Sequence, residues 1–408
     1  MATRIAGWAL PEVTATFAAR CQEALGLHPA AFRKLPSGLT ISSLGVGTYQ
    51  GELGQEHDDM VVAAVKESVL GGINVVDTAI NYRLQQGERC VGKALRHLCM
   101  PADASCSQGE AVPREALFIS TKAGFIPGDY SLTVDKEEGM RHTADALVEA
   151  GVPAESICDG FRHCLHPKAL DVSLSRSLDN LCLETVDLFY LHNAENQAGM
   201  GVLKDELMAR ISAAFVWCEQ MRAANKIRAY GLATWDACRV PPTDSAHLSL
   251  TDLLKAAADA ASAVHGAEME HGLLHVQIPV NLGFSEAIRS PTQQKTAESE
   301  DTKAQQSDGP LIPSLAWGVN ANLGIFASSS LGGGTVPDLA SKCESHSLMA
   351  GRPDGAIRWL EFTRSCPGVC CALVGMKRPS NVASNLALMR HPPLESAAFS
   401  EICSELYG

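Results

Sequence analysis

The sequence predicts one α/β barrel, a (β/α)8 TIM barrel, and three observations lead to this fold class. The chain has 408 residues, which suits one large barrel or two ordinary domains. Short apolar runs alternate along the chain with segments of helical periodicity. Each apolar run is continuous rather than mixed with polar residues, as in parallel strands that helices cover on both faces.

The apolar runs predict eight strands, and amphipathic segments between them predict the helices. The runs cover residues 43–49, 73–79, 117–123, 186–193, 227–234, 274–281, 323–330 and 371–377. Helical periodicity is clearest over 59–71, 88–98, 170–181 and 209–225, and Gly71 and Gly72 fall where a helix C-cap belongs. A doubly wound sheet is the alternative. It needs a Gly-rich phosphate loop that opens a helix after the first strand, and "GVGTYQGELG" does not have that form.

Residues 32–408 are assigned to the barrel and residues 1–31 to an N-terminal extension that carries a short helix over 13–25. Two insertions, at about 126–167 and 288–310, predict long loops at the catalytic mouth. The first contains charged helical stretches and the motif "RHCLHP". The second is polar over 290–310, which predicts a mobile loop.

Composition excludes several classes of partner. The formal net charge of −13 argues against non-specific binding to nucleic acid or to an anionic membrane. The apolar runs are too short to span a bilayer. The 14 cysteines form no C-x-x-C pair, so we interpret them as reduced thiols of an intracellular, cytoplasmic protein. An organelle is the alternative location, although Glu12 and Glu23 are unusual in a transit peptide. A monomer or a small homo-oligomer is expected.

Polar side chains follow the predicted strands where each one ends. Asp77 ends the second strand and Tyr82 follows five positions later, in "INVVDTAINYR". Lys122 ends the third strand and His192 the fourth. Because the C-terminal ends of barrel strands share one mouth, these four side chains are expected to converge.

Such a set is suited to proton transfer at a carbonyl group. A free phenol titrates near about 10, and an adjacent ammonium stabilises the phenolate and lowers that pKa. Asp77 would keep Lys122 charged, and His192 would orient the carbonyl oxygen that Tyr82 protonates. The hydride must come from a cofactor, because no side chain donates one. Each residue taken alone has a plainer interpretation, such as a helix N-cap for Asp77 or a packed core histidine for His192.

The motifs resemble those of the aldo-keto reductase superfamily from residue 32 to residue 388. "LGVGTY" resembles its first barrel strand, "ISTKAG" the lysine strand, "VDLFYLHN" the histidine strand and "VQIPVN" the sixth strand. "FRKLPSGLTIS" resembles the N-terminal hairpin that closes the barrel bottom, and "LVGMKRPSNVASNLAL" the segment that holds the adenosine phosphate. "DTAINYR" with "LHN" followed by an acid is similar to a bacterial and plant-type branch of the superfamily.

The resemblance implies a function and a set of residues. It implies hydride transfer between NADP(H), or NAD(H) as the alternative, and an aldehyde, ketone or sugar, with Tyr82 as the proton donor. The implied catalytic tetrad is Asp77, Tyr82, Lys122 and His192. The implied cofactor contacts are Asn193, Thr234, Gln277, Ser328, Leu331, Gly375, Lys377, Arg378, Asn381 and Asn385.

The chain departs from the superfamily pattern at two positions. Ser328 stands where an aromatic residue usually stacks on the nicotinamide, and Trp235 is a substitute platform. Asn381 stands where an Arg often contacts the 2′-phosphate, and Lys377 and Arg378 are near enough in sequence to supply that charge. Ser328 in place of an aromatic residue, together with the insertion after the third strand, favours a cofactor-binding regulatory or sensor barrel with little turnover as the alternative function.

A second alternative function and three further residue groups have their own interpretations. A metal-assisted hydrolase would need histidine or carboxylate ligands at several strand ends, and only His192 qualifies. His163, Cys164 and His166 in "RHCLHP" have no acidic partner at fixed spacing, so no metal site is predicted. Glu195 is interpreted as a carboxylate at the loop rim or in the substrate pocket. Arg83 has two open interpretations, a salt bridge at the rim or a contact with the substrate.

Overall fold

The computed structural model describes residues 3–100, 111–160, 162–266, 269–295, 310–335, 339–352 and 355–408. Over these ranges the chain forms twelve strands. They are β1 Phe32–Lys34, β2 Thr40–Ser42, β3 Leu44–Gly47, β4 Val75–Asp77, β5 Phe118–Ala123, β6 Val186–His192, β7 Ile227–Ala233, β8 Leu273–Pro279, β9 Pro291–Gln294, β10 Leu311–Pro313, β11 Gly324–Ser328 and β12 Val369–Gly375.

Helices alternate with the strands as the fold class requires. They are α1 Pro11–Leu25, α2 Gln55–Leu70, α3 Gln86–Cys99, α4 Lys136–Glu149, α5 Pro167–Leu181, α6 Asn196–Gly199, α7 Lys204–Ala223, α8 Leu250–His265, α9 Glu286–Arg289, α10 Ser314–Asn320, α11 Ala340–Ser345, α12 Ala356–Ser365, α13 Pro379–Leu388 and α14 Ser396–Tyr407. The helix predicted over 13–25 falls within α1. The division between extension and barrel stays a prediction.

Eight of the strands close into a barrel, which confirms the predicted (β/α)8 fold. The order around it is β3, β4, β5, β6, β7, β8, β11 and β12, and β12 pairs with β3 to close the sheet. Every pairing in the barrel is parallel. The apolar runs identified these strands because parallel strands are buried on both faces, and all residues of β5 and β6 are buried.

Side chains alternate along each barrel strand between two apolar cores. Val75, Phe118 and Leu188 belong to the cluster inside the barrel, whereas Ile119 and Phe189 belong to the larger cluster between barrel and helices. The antiparallel hairpin of β1 and β2, also predicted, brings Ile41 to the inner cluster. The barrel is therefore filled with mainly apolar side chains below its mouth, and polar groups from several strands converge at the strand ends.

The two-glycine signal before β4 has a physical cause. Helix α2 ends at Leu70, and Gly72 adopts a φ of +104° as the chain turns into β4. A Cβ at Gly72 would lie 2.4 Å from Leu27 Cδ1, so both the backbone angle and the close packing require glycine.

The two insertions differ from each other. Residues 126–167 contain α4 and a small apolar cluster of their own. In the second insertion, β9 pairs in an antiparallel ribbon with β10, which begins just after it, so the prediction of a mobile loop over 290–310 is wrong over 291–294. The rest of that predicted loop, residues 296–309, lies outside the described residues. Within the described ranges, no helix is long and apolar enough to cross a membrane.

Buried charge joins the N-terminal extension to the barrel at Asp187 on β6. Its Oδ1 accepts a 2.6 Å hydrogen bond from the Ala9 backbone, and its Oδ2 accepts 2.8 Å bonds from Arg114 Nη2 and from the Ile119 backbone. The Arg114 and Asp187 side chains are each 2% exposed, so neither charge has water as an alternative partner.

Asp187→Ala is expected to lower the free energy of unfolding by about 3–5 kcal/mol, because it leaves the buried Arg114 charge unpaired. Chemical denaturation measures this loss. The matched control is Asp179→Ala, which breaks a solvent-exposed pair with Arg4 and should cost about 0–1 kcal/mol. Equal losses in the two variants would contradict the assignment.

Candidate active site

The side chains predicted to converge do meet at the C-terminal mouth of the barrel. Asp77 is the last residue of β4, Lys122 the penultimate residue of β5 and His192 the last residue of β6. Gln277 lies on β8, opposite these strands in the barrel order. The parallel register places their side chains over the top layer of the inner core.

Asp77 and Lys122 form a buried ion pair at the centre of the mouth. Lys122 Nζ lies 2.5 Å from Asp77 Oδ2 and donates a 2.8 Å hydrogen bond to the Thr78 carbonyl oxygen. Asp77 Oδ1 accepts a 2.7 Å bond from Ser120 Oγ and a 3.0 Å bond from Gln277 Nε2. Both oxygens of the carboxylate are therefore satisfied, which fixes its orientation.

Tyr82 lies beside this pair. Lys122 Nζ is 4.9 Å from the centroid of the Tyr82 ring. The ring contacts two others edge to face, Tyr49 at 5.0 Å and His192 at 5.8 Å between centroids. The structure therefore brings together all four members of the predicted tetrad.

A left-handed turn after Tyr82 holds it in place. Arg83, Leu84 and Gln85 have positive φ angles of 51°, 51° and 72°, a conformation that non-glycine residues rarely adopt. Arg83 offsets the strain with a buried ion pair, in which Nη2 lies 2.6 Å from Asp58 Oδ1 on α2. Gln85 Nε2 donates a 3.1 Å bond to the Gly128 carbonyl oxygen of the first insertion. Arg83 is thus part of the scaffold beneath the turn.

Burial and charge set the protonation states of the site. Burial raises the pKa of Tyr82, and the Lys122 ammonium opposes that effect only in part. The pKa of Tyr82 is therefore raised, whereas the sequence predicts that Lys122 lowers it overall, so that prediction is wrong. Burial tends to lower the pKa of Lys122, but Asp77 and Tyr82 outweigh it and the pKa is raised. At neutral pH the site therefore holds a neutral phenol beside an ammonium.

His192 is neutral for a related reason. Its burial, together with the charge of Lys122, holds its pKa well below the ordinary value of histidine. Phe125 packs edge to face on the imidazole, with ring centroids 5.0 Å apart. Among the described residues, the buried Nδ1 atom of His192 has no hydrogen-bond partner. A neutral imidazole carries one ring N–H, which can donate to a carbonyl oxygen.

Two of the predicted cofactor contacts are engaged within the protein. Gln277 donates to Asp77, as described, and the Thr234 hydroxyl donates a 2.7 Å bond to Glu195 Oε1. Glu195 is 1% exposed rather than at the rim. Its Oε1 also accepts bonds from the backbone nitrogens of Trp235 at 2.7 Å and Asp236 at 3.1 Å. Glu195 therefore fixes the loop after β7, which presents Trp235 41% exposed.

The loop after β11 is a tight turn of left-handed backbone. Ser329, Gly332, Gly333 and Gly334 all have positive φ angles, and the N–H groups of Gly332 and Gly334 donate to the carbonyl oxygens of Ser329 and Leu331. A cavity of about 200 Å³ lies between this loop and the segment after β8. Its lining includes Asn281 and the predicted cofactor contact Leu331. Ser328 is half-buried at the end of β11.

The remaining predicted cofactor residues lie at the end of β12 and on α13. Gly375 is exposed, and Lys377 lines a second cleft of about 350 Å³ with Glu56 and Asp59 of α2. Arg378 and Asn381 are exposed at the start of α13, whereas Asn385 is buried, with Nδ2 3.6 Å from Met376 Sδ. Asn193 follows His192 with a positive φ of 48° and is half-buried.

The "RHCLHP" motif does not gather ligands for a metal. His166 caps α5, with Nδ1 accepting a 3.3 Å bond from the Lys168 backbone, and burial raises the pKa of the Cys164 thiol to about 11. The described part of the chain contains no group of three or more metal-binding side chains. His163 contacts the catalytic strand instead, a role that no local signal in the sequence indicates.

Comparison with known proteins agrees with this geometry. The model of the "Aldo/keto reductase family" matches residues 43–243, the segment that carries the Asp77, Tyr82, Lys122 and His192 set. The chain is similar to the aldo/keto reductase family over this segment. No curated protein sequence matches it significantly.

Solved structures of aldo/keto reductases share the fold of this chain at low sequence identity. An aldo-keto reductase from Klebsiella pneumoniae in complex with NADPH is 16% identical, with a TM-score of 0.54 over 91% of this chain and 93% of that one. The glycerol dehydrogenase from Gluconobacter oxydans is 17% identical, with a TM-score of 0.56 over 93% and 97%. The holo form of a Bacillus halodurans aldo-keto reductase is 16% identical, with a TM-score of 0.55 over 92% and 95%.

The Arg83–Asp58 pair is expected to act as one unit in supporting the Tyr82 turn. Arg83→Met and Asp58→Leu should each lower the free energy of unfolding by about 3–5 kcal/mol, because each leaves a buried charge unpaired. The double variant should lose less than the sum, with a coupling of about 1 kcal/mol or more. Urea denaturation of the four proteins measures it, with the exposed Lys93→Met as control. Strictly additive losses would contradict the pairing.

Proposed function

We propose that this protein is an NADP(H)-dependent oxidoreductase of the aldo/keto reductase family that interconverts an aldehyde, ketone or sugar carbonyl and its alcohol. The observation that carries the proposal is the buried Lys122–Asp77 pair beside Tyr82 and the neutral His192. This set can deliver one proton to a developing alkoxide. The nicotinamide cofactor, when bound, supplies the hydride.

Features of the chain fit a dinucleotide. Lys377 and Arg378 at the N-terminus of the ten-residue α13 suit a phosphate group. Glu56 and Asp59 line the same cleft as Lys377 and oppose that charge. The positive charges of Lys377 and Arg378 favour NADP(H), with NAD(H) as the alternative. The ratio of the dissociation constants for NADPH and NADH measures this preference.

Each residue of the site has a separate role in the proposed reduction. Tyr82 donates its phenolic proton to the carbonyl oxygen as that oxygen becomes an alkoxide. Lys122 stabilises the phenolate left behind, and Asp77 keeps the ammonium charged and fixed. His192, held neutral, would donate a hydrogen bond from its imidazole N–H to the substrate oxygen. In oxidation Tyr82 takes the proton back.

The first test is whether the protein binds NADPH and turns over a carbonyl. Purified protein is titrated into NADPH while cofactor fluorescence is followed, and a panel of aldehydes, ketones and sugars is then added. The proposal predicts a fluorescence change followed by cofactor oxidation. Binding without turnover on any carbonyl would favour the sensor alternative, and unchanged fluorescence at saturating protein would contradict both.

Tyr82→Phe is expected to lower kcat for reduction by about 10²-fold or more, because the ring remains but the proton donor is lost. The dissociation constant for NADPH should change little, since the hydroxyl is placed for the carbonyl. Steady-state kinetics and fluorescence titration measure the two effects. Tyr49→Phe, which removes the hydroxyl of the ring that packs on Tyr82, is the control. Full activity in Tyr82→Phe would overturn the mechanism.

The pH dependence follows from the raised pKa of Tyr82 and the depressed pKa of His192. Reduction needs the neutral phenol, so kcat should stay flat from about pH 6 to 9 and fall only above the ordinary tyrosine value of about 10. Oxidation needs the phenolate, so its kcat should rise with pH over the same interval. An inflection in reduction near about pH 6.5, where free histidine titrates, would contradict the neutral His192.

A further inference from the structure

One residue of the first insertion reaches into the catalytic strand. His163 is fully buried, and its Nε2 lies 2.8 Å from the His192 carbonyl oxygen. A carbonyl oxygen can only accept a hydrogen bond, so Nε2 of His163 carries the proton and donates it. The contact joins residues 29 positions apart, across the ends of β5 and β6.

A chain of hydrogen bonds fixes the direction of that donation. His163 Nδ1 lies 2.9 Å from Gln197 Nε2, and Gln197 Oε1 accepts a 3.0 Å bond from Arg210 Nη1. A guanidinium can only donate, so Gln197 must face it with its oxygen and must offer its amide nitrogen to His163. His163 is therefore held as one tautomer, and burial lowers its pKa to about 4, which keeps it neutral.

The backbone around His163 leaves its side chain little freedom. It forms isolated antiparallel bridges with Phe125 and Cys158, and the Cys164 backbone donates a 2.8 Å bond to the Gly124 carbonyl oxygen. A Cβ at Gly124 would lie 2.8 Å from the His192 carbonyl oxygen and 2.9 Å from His163 Nε2. Glycine at 124 is thus what allows the His163–His192 contact.

Phe125 gives a second link between the two histidines. Its ring centroid lies 5.0 Å from that of His163 and 5.0 Å from that of His192, with the planes nearly perpendicular in both pairs. The insertion therefore touches His192 at its carbonyl oxygen and at its imidazole ring. His163 contacts both the backbone and the aromatic neighbour of the catalytic side chain.

We propose that His163 is a positioning residue, which sets the orientation of the His192 imidazole through the His192 carbonyl and Phe125. The proposal rests on the proposed function, since it assigns the insertion to the same reaction. It predicts that loss of the His163 donor affects the chemical step and leaves cofactor binding unchanged. It also gives the "RHCLHP" motif a role other than metal binding.

Two substitutions separate the hydrogen bond from the packing. His163→Phe keeps a ring against Phe125 but removes the donor, whereas His163→Gln keeps a donor for the His192 carbonyl and an acceptor for Gln197. We expect His163→Phe to lower kcat about 10-fold or more, with KM for NADPH within about threefold of wild type, and His163→Gln to recover most of kcat. His166→Asn, which keeps the α5 cap, is the control in the same motif and should not change kcat.

Unchanged kcat in His163→Phe overturns the proposal. A loss of kcat accompanied by an equal loss of NADPH affinity, with no rescue by His163→Gln, also overturns it, because that pattern marks a purely structural role. If His163→Phe does not fold, Gln197→Met takes its place. Gln197→Met removes the bond that fixes the His163 tautomer. The proposal requires that it lower kcat by less than the fall expected for His163→Phe, with KM for NADPH unchanged.

A second readout needs no turnover, so it distinguishes failure of this inference from failure of the proposed function. The His192 imidazole is observed by NMR of nitrogen-15 histidine, with its signals assigned by their loss in His192→Phe. We expect the wild-type and His163→Gln signals to coincide and those of His163→Phe to shift or broaden. Coincident signals in all three proteins would overturn the proposal, even if the wild type shows no carbonyl reduction.

Discussion

The site depends on one interaction, the buried ion pair between Lys122 and Asp77. An ammonium with no solvent exposure is unfavourable alone, and Asp77 at 2.5 Å is what keeps it charged. Thr78, Ser120 and Gln277 satisfy the remaining donors and acceptors around the pair. A pair that is fully hydrogen-bonded has one geometry, and that geometry places a positive charge beside the Tyr82 ring.

The surroundings of Tyr82 explain why a lysine is needed there. Burial raises the pKa of the phenol, which keeps it protonated but makes the phenolate harder to form. The ammonium acts mainly on the charged form, so in the proposed reaction it would stabilise the phenolate that exists after proton transfer. The left-handed turn at 83–85 and the Arg83–Asp58 pair hold the phenol close enough for this effect. Strain in the turn is thus offset by a buried charge pair outside the reacting set.

Segments that are far apart in the sequence contact the residues of the candidate site and the loops next to it. The insertion at 126–167 braces the turn through Gln85 and the histidine strand through His163. Glu195 fixes the loop after β7 through backbone nitrogens. The long loops of this barrel therefore hold the site in shape as well as extending its mouth.

The barrel and its tetrad could be predicted because both follow from local patterns. A buried parallel strand is a continuous apolar run, and Asp77 and Lys122 stand out at the ends of such runs. The turn of Arg83, Leu84 and Gln85 could not be predicted, since none is a residue that favours positive φ. The partners of Arg83 and His163, and the burial of Glu195, depend on contacts between distant segments. The direction of the Tyr82 pKa shift likewise depends on how deeply Tyr82 itself is buried.

The central claim is that Lys122 acts on the reaction through Tyr82. Single-turnover hydride transfer from NADPH to an aldehyde, measured in wild type, Lys122→Met, Tyr82→Phe and the double variant, tests it directly. The account predicts that Lys122→Met slows transfer about 10²-fold in the wild-type background and less than about threefold when Tyr82 is already Phe. Losses that multiply in the double variant would show that Lys122 acts independently of Tyr82 and would contradict the account.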